Sequence, residues 1–279
     1  MNHTAPDPLC WRPVAEPRID RIGDRQSGRE RLIFNEILTY ALVGFVAQLV
    51  DGALGMAFGV ISTSVLLFLG VPPTMASASV HAAEVVTTGI SGVSHWLHGN
   101  VDRRLFLRLA GAGVVGGALG AYVLTELPVK IVQPAVAVYL CAMAALIVYK
   151  VFRKRPPRES TAGIEPLGFG GGFLDAIGGG GWGPIVVSTL VARGLSPRHT
   201  IGSVNLAEFF VTLAISIAFL ITIGITHAHI AGGLVIGGAI AAPLAGWMSK
   251  IMPPRILMVL VSIVVLALGT AGLVRLALS

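Results

Sequence analysis

The sequence predicts an all-α integral membrane protein: two inverted repeats, each a re-entrant or broken helix pair plus three transmembrane helices. Three observations point there. Hydrophobic residues make up 54% of the 279 and charged residues only 12%, with a mean hydropathy of +0.80; a soluble domain carries about 25% charged residues. Six segments are apolar over the roughly 20 residues that a bilayer crossing takes. Two further apolar stretches are each interrupted near the middle, at positions that correspond in the two halves of the chain.

Residues 1–33 are polar, proline-bearing and mixed in charge, with no apolar core or small-residue cleavage site, so they read as a polar tail rather than a signal peptide. Repeat 1 spans 34–152. It opens with the interrupted stretch 34–69, whose break reads VDGALGMAFG (Val50 to Gly59), and continues with spans at 76–98, 105–125 and 129–152. Residues 153–165 are a basic linker. Repeat 2 spans 166–279, with the interrupted stretch 166–193 and spans at 199–224, 228–249 and 254–277. Its break reads LDAIGGGGWG (Leu174 to Gly183). The glycines of Gly111, Gly113, Gly116, Gly117 and Gly120 read as surfaces for close helix packing.

The repeat is visible by a shift of 124 residues. Asp51 falls on Asp175, Gly55 on Gly179, Gly59 on Gly183, Ser79 on Ser203 and Glu84 on Glu208. Between 51 and 88, 13 of 38 pairs are identical, without a gap. Chance identity in apolar sequence falls on Ala, Val, Leu and Gly; it does not align two carboxylates at the same separation twice.

Loop charge sets the orientation. If each interrupted stretch dips in and returns, and the N-terminus is outside, Arg103, Arg104, the linker cluster, Arg193, Arg198, Lys250 and Arg255 all face the cytoplasm. If each crosses instead, the second-half cations land opposite the linker. The excess of basic residues on cytoplasmic loops favours the re-entrant arrangement. The net charge of +6 is then a matter of topology, and nucleic acid is not an expected partner. Cys10 and Cys141 form neither a disulfide framework nor a metal motif. GGGGWGP lacks the GK[ST] of a phosphate loop, and neither GxSxG nor HExxH occurs, so no enzyme, cofactor or metal is expected.

The candidate site lies at the breaks. A helix that restarts in mid-membrane exposes backbone N–H groups and the positive end of its dipole, which suits an anion. Pro184 fits the first turn of such a helix. Candidate substrate-binding residues are Gly55, Phe58, Gly59, Gly179, Gly180, Gly181, Trp182, Gly183, Ser79, His81, Ser203 and Asn205. No Arg or Lys is expected beside the breaks. Asp51, Asp175, Glu84, Glu208 and His81 are candidates for proton coupling, since an ionisable group within a span is a functional hypothesis. For the two aspartates three roles fit: a helix cap, a proton carrier, or part of a cation site such as one for Na⁺. Ser77, His81, Glu84 and Thr88 recur at helical spacing and form one polar face.

The duplicated halves, the D-x-x-x-G-x-x-x-G break, the GVPP and GLSP turns and the following S-V-x-x-A-E helices resemble the sulfite exporter TauE/SafE family of permeases. The likeness runs from about residue 34 to 277. It implies a membrane transporter for small sulfur-containing anions such as sulfite or an organosulfonate, in a bacterial-type cytoplasmic (inner) membrane. The repeat itself points only to a transporter; alternating access with coupling to protons through the ionisable residues is the expected mechanism, while an anion channel and a carrier of another carboxylate or oxyanion stay open, as does a homo-oligomeric state.

Overall fold

The computed structural model describes residues 20–152, 160–225, 227–251 and 253–278, and every regular element among them is helical. The basic cluster at 153–159 lies outside the described residues. In chain order the elements are α1 (Asp20–Leu54), α2 (Phe58–Phe68), α3 (Pro73–Leu97), α4 (Arg103–Glu126), α5 (Val129–Phe152) and α6 (Ile164–Gly178). A π-helical turn (Gly183–Val187) then runs into α7 (Ser188–Ala192), followed by α8 (Pro197–Ile223), α9 (Ala228–Ile251) and α10 (Pro254–Leu278). Helix α1 begins at Asp20, so the polar residues 20–33, expected as tail, are helical. Residues from Glu36 onward form one compact unit; the part of α1 up to Asn35 is a separate one.

Local sequence explains where the helices stop and start. Pro73 and Pro197 open α3 and α8 at the position where a missing N–H costs nothing. Asp102 caps α4, its Oδ1 accepting from the amides of Arg104 (2.8 Å) and Leu105 (3.1 Å). Gly55 and Gly179 end α1 and α6 with φ of +69° and +66°, a left-handed conformation that glycine adopts without strain. These are the two glycines that the repeat aligns.

Among the described residues, four helices, at Arg103–Glu126, Val129–Lys150, Pro197–Ile223 and Arg255–Leu278, are long and apolar enough to cross a membrane. The sequence expectation was six. Helix α3 is long enough, but its polar face lowers its hydropathy, and α9 counts as a shorter apolar helix over Ala228–Leu244. Large apolar side chains face outward along these helices, among them Ile221 (79% exposed), Ile240 (60%) and Ile263 (57%). That is far more than a water-soluble surface carries and is what lipid accepts.

The α4–α6 seam is built from glycine. A Cβ at Gly116 or Gly120 would strike the carbonyls of Phe169 or Phe173, and one at Gly172 would strike that of Gly113. Gly113 and Gly117 leave room for Trp182 and Ile215. These small residues let the two backbones approach closely. Gly111 does not share the role: nothing lies within 4 Å of its missing Cβ.

Both interrupted stretches turn back. The Ser160 amide donates to Arg193 O at 3.2 Å, and Arg193 Nη1 donates to Ala162 O at 2.6 Å, so the segment leaves where it entered. Arg198 Nε donates to Asn100 Oδ1 (2.5 Å), which puts the start of α8 and the α3–α4 loop at that same end. Helices α8 and α9 then carry the chain away and α9 starts at the far end, where His229 lies 3.9 Å from Glu36. Phe68 is there too, its carbonyl accepting from Arg275 Nη1 (3.0 Å) in the last turn of α10. Residues 36 and 68 therefore bound the first stretch at the end opposite to residues 160 and 193.

Candidate functional site

The two breaks meet. A Cβ on Gly59 would lie 2.7 Å from Gly180 Cα, and one on Gly183 would lie 2.8 Å from Met56 Cα. Only glycine allows this, and Gly180 also sits at φ +148°, which side chains other than hydrogen rarely adopt. The contact is pinned from three sides. Thr63 Oγ1 donates to Gly179 O, Tyr139 Oη donates to Gly180 O at 3.0 Å, and the Lys150 ammonium donates to Pro184 O at 3.2 Å. Lys150 corrects the expectation that no basic side chain approaches the breaks. Its position reads as the edge of the basic linker; its stem is long enough to reach the returning half-helix. Tyr139 is the one polar tip amid the apolar residues of Ala135–Tyr139, a faint signal that sequence reading passed over.

Both aspartates cap the half-helix that follows them. Asp51 Oδ1 accepts from the amides of Ala57 (2.6 Å) and Phe58 (3.1 Å). Asp175 Oδ1 accepts from the amide of Trp182 (2.9 Å), the residue aligned with Phe58. One arrangement thus occurs twice: an aspartate, a left-handed glycine, and a restart held by the aspartate's carboxylate. The amides of the first turn beyond these bonds have no carbonyl of their own helix to meet.

Between the breaks lies a small cavity lined by Asp51, Met56, Ala57, Phe58, Gly59, Val60, Glu84, Asp175, Gly181, Gly183, Pro184 and Glu208. All four expected carboxylates reach it. Glu84 is 4% exposed and its Oε2 has no hydrogen-bond partner. The polar face of α3 is buried as expected, with Ser77 1%, His81 0% and Thr88 9% exposed. His81 Nε2 lies 3.2 Å from Asp175 Oδ2, which joins α3 to α6 across the cavity wall. Ligand atoms of His81, Glu84 and Asp175 all lie within 4.8 Å of one another.

The remaining candidates serve elsewhere. Gly55, Gly179 and Gly180 shape the breaks without lining the cavity. Trp182 is fully buried, packed against Gly113 and Gly171, with Nε1 donating to Val204 O at 3.3 Å. Ser79 is buried away from the cavity with its hydroxyl unpartnered. Ser203 Oγ accepts from the Asp102 amide (2.8 Å) and Asn205 Nδ2 donates to Ser91 Oγ (3.0 Å), so both tie α8 to the first half near the α3–α4 loop. Neither lines the cavity, whereas Glu208, about a turn further on, does.

Residues 40–271 match the sulfite exporter TauE/SafE family. The chain is 41% identical over 236 residues to the probable membrane transporter protein YtnM of Bacillus subtilis, covering 81% of this chain and 79% of that one. It is 25% identical over 249 residues to the probable membrane transporter protein YdhB of the same organism, covering 86% and 98%. A stretch of 126 residues, 45% of this chain, is 25% identical to the sulfite exporter TauE/SafE family protein 3 of Arabidopsis thaliana, of which it covers 26%. No solved structure matches. The chain belongs to the sulfite exporter TauE/SafE family of membrane transporters.

Proposed function

We propose that this member of the TauE/SafE family is a secondary transporter, and not an enzyme, that carries a small sulfur-containing anion such as sulfite or an organosulfonate by alternating access coupled to protons. The observation that carries the reading is the meeting of two chain breaks at a cavity lined by four carboxylates. Paired discontinuous helices at a repeat interface are the usual substrate site of such transporters. The two stretches open toward opposite ends, which supports an inverted repeat, and alternating access follows from rocking one half against the other around a fixed site.

The anion would sit against backbone amides at the restarts of α2 and of the half-helix that opens with Gly183, beside Phe58, Gly59, Gly181 and Gly183. Charge balance then requires protons. A unit charge about 5 Å from the anion opposes it by roughly 3 kcal/mol at an effective dielectric constant near 20. Four unpaired ionised carboxylates would make binding prohibitive, so Asp51, Glu84, Asp175 and Glu208 must each be protonated or paired with a cation when the anion is present. The end that carries Arg103, Arg104, Arg193 and Arg198 would face the cytoplasm of a bacterial-type cytoplasmic (inner) membrane.

Purified protein in liposomes tests this directly. Sulfite, thiosulfate or an organosulfonate should enter faster when the pH differs across the membrane, and Glu208→Gln should blunt the effect. Flux indifferent to both the gradient and that substitution would remove the coupling. Unitary conductance far above carrier turnover would make the protein a channel.

A further inference from the structure

The bonds around His81 count its protons. Ser77 Oγ donates its single hydrogen to Ala176 O at 2.6 Å, so none is left for His81 Nδ1, 3.2 Å away. Ser77 O, 2.7 Å from the same Nδ1, can only accept. Nδ1 is therefore the donor and carries a hydrogen. In a neutral imidazole Nε2 is then a bare lone pair. It faces Asp175 Oδ2 at 3.2 Å, and a carboxylate is acceptor-only. Two lone pairs at hydrogen-bond distance repel, and with His81 at 0% and Asp175 at 1% exposure little solvent relieves them. The distance makes sense with a hydrogen between the two atoms.

We propose that His81 and Asp175 form a proton-binding site, with the hydrogen on Nε2 directed at Oδ2, and that this is the proton moved during transport. The proposal rests on the transporter reading and selects one pair among its five coupling candidates. The Trp182 amide already donates to Asp175 Oδ1, a bond that a carboxylate accepts more strongly than a carboxyl group. That bond favours the carboxylate form of Asp175 and with it the hydrogen on the imidazole.

The surroundings favour a positive charge there. Glu84 stands one turn on along α3, while Asp51 and Glu208 share the cavity with Asp175. Tyr139 of α5 lies on the carbonyl side of the same break. Phe219 of α8 packs its ring 6.4 Å from that of His81. Helix α2 has no charged residue, and α9 has none between Ile230 and Leu244. An arriving anion adds another negative charge, so proton and anion reinforce each other's binding and move in the same direction.

The second half lacks the device. Asn205 stands where the repeat aligns His81, and it bonds to Ser91 rather than to an aspartate. Asp51 uses its Oδ1 on two amides. Because the pair joins α3 of one half to α6 of the other, removing the proton leaves two facing lone pairs and drives the halves apart at that point. That links protonation to movement.

The experiment has two arms. Protein with ¹⁵N-labelled histidine in nanodiscs at pH 7, compared with His81→Asn, isolates one of the seven histidines. Both ring nitrogens of His81 should show the imidazolium shift. A bare Nε2 signal in the wild-type protein, or stoichiometric binding of Zn²⁺ or Mn²⁺ that His81→Asn abolishes, overturns the proposal. In liposomes, His81→Asn should lose gradient-driven accumulation of labelled anion at least tenfold. An undiminished gradient response in that variant also overturns it. A wild-type protein that moves no anion refutes the transporter reading, while the nitrogen spectrum still decides the proton site.

Discussion

Gly180 shows what a single residue does here. Its φ of +148° and its contact with the backbone of Gly59 and Val60 leave no space for a methyl group. An L-residue held near the left-handed region costs about 1–2 kcal/mol, and the overlap with facing backbone adds to that. Gly180→Ala should therefore lower the unfolding temperature in detergent and abolish transport, since it forces the two breaks apart. Gly111→Ala is the matched control. Its missing Cβ faces open space in mid-helix, where alanine is better than glycine by about 0.5–1 kcal/mol, so stability should hold or rise and flux should not change. Sequence alone grouped both among notable glycines and separated them correctly only in part. It placed Gly180 at the break, yet it credited Gly111 with packing, because glycine spacing does not tell which face a neighbour occupies. The same limit explains Ser203 and Asn205. The repeat aligns them with Ser79 and His81, but alignment carries no information about which helix stands opposite.

The half-helix is the next unit of argument, and its start is fixed by an aspartate in both repeats. Asp51 contributes two accepted amide bonds and, among the described residues, no side-chain partner at its carboxylate. It acts as a cap. Asp51→Asn should then keep stability within about 0.5 kcal/mol, because asparagine caps about as well as aspartate, whereas Asp51→Ala should cost about 1 kcal/mol. Thermal unfolding of the two variants side by side checks this; equal losses would show that the charge, and not the cap, is what matters. Asp175→Asn should differ in kind, keeping the cap to Trp182 while losing the proton partner of His81, so that unfolding is little changed and gradient-driven transport fails. These elements were largely legible. Carboxylate and glycine recur at fixed offsets because a helix that stops and restarts needs a left-handed residue and a cap; the proline of the second break has Val60 as its counterpart. What was not legible is the set of clamps from other elements. Thr63, Tyr139 and Lys150 reach the second break from α2 and from the middle and the last turn of α5, and no local pattern announces a contact made over such sequence distances.

At the scale of the whole molecule, the layout of the ends decides how the site could be reached. Charge placement in the loops led to re-entrant stretches before any coordinates, because cations at Arg103, Arg104, Arg193 and Arg198 could share a side in no other way. Arg275 is the exception, placed with Phe68 at the other end. Cysteines introduced at Arg198 and Arg275, in a background with Cys10 and Cys141 replaced by serine, should label from opposite sides of the membrane with an impermeant maleimide: Arg275→Cys in intact cells, Arg198→Cys only after permeabilisation. Labelling of both from one side would end the inverted layout. If the layout holds, each half offers the same cavity to a different side as the halves rock, and only the loading of that cavity sets the direction. Loading depends on charge. On the proposed reading, the anion would meet carboxylates at Asp51, Glu84, Asp175 and Glu208, and each would have to be neutral or paired before the anion is tolerated. Acid on the side of entry supplies those protons, and alkali on the far side removes them after the cavity has turned. Initial uptake into liposomes should therefore rise as the outer pH falls from 8 to 6 at constant inner pH, and reversing the gradient should drive the anion outward. Uptake that rises with outer alkalinity would mean exchange of anion against proton, and the carboxylates would then have to release their protons as the anion arrives, which the geometry around Glu84 and Asp175 opposes.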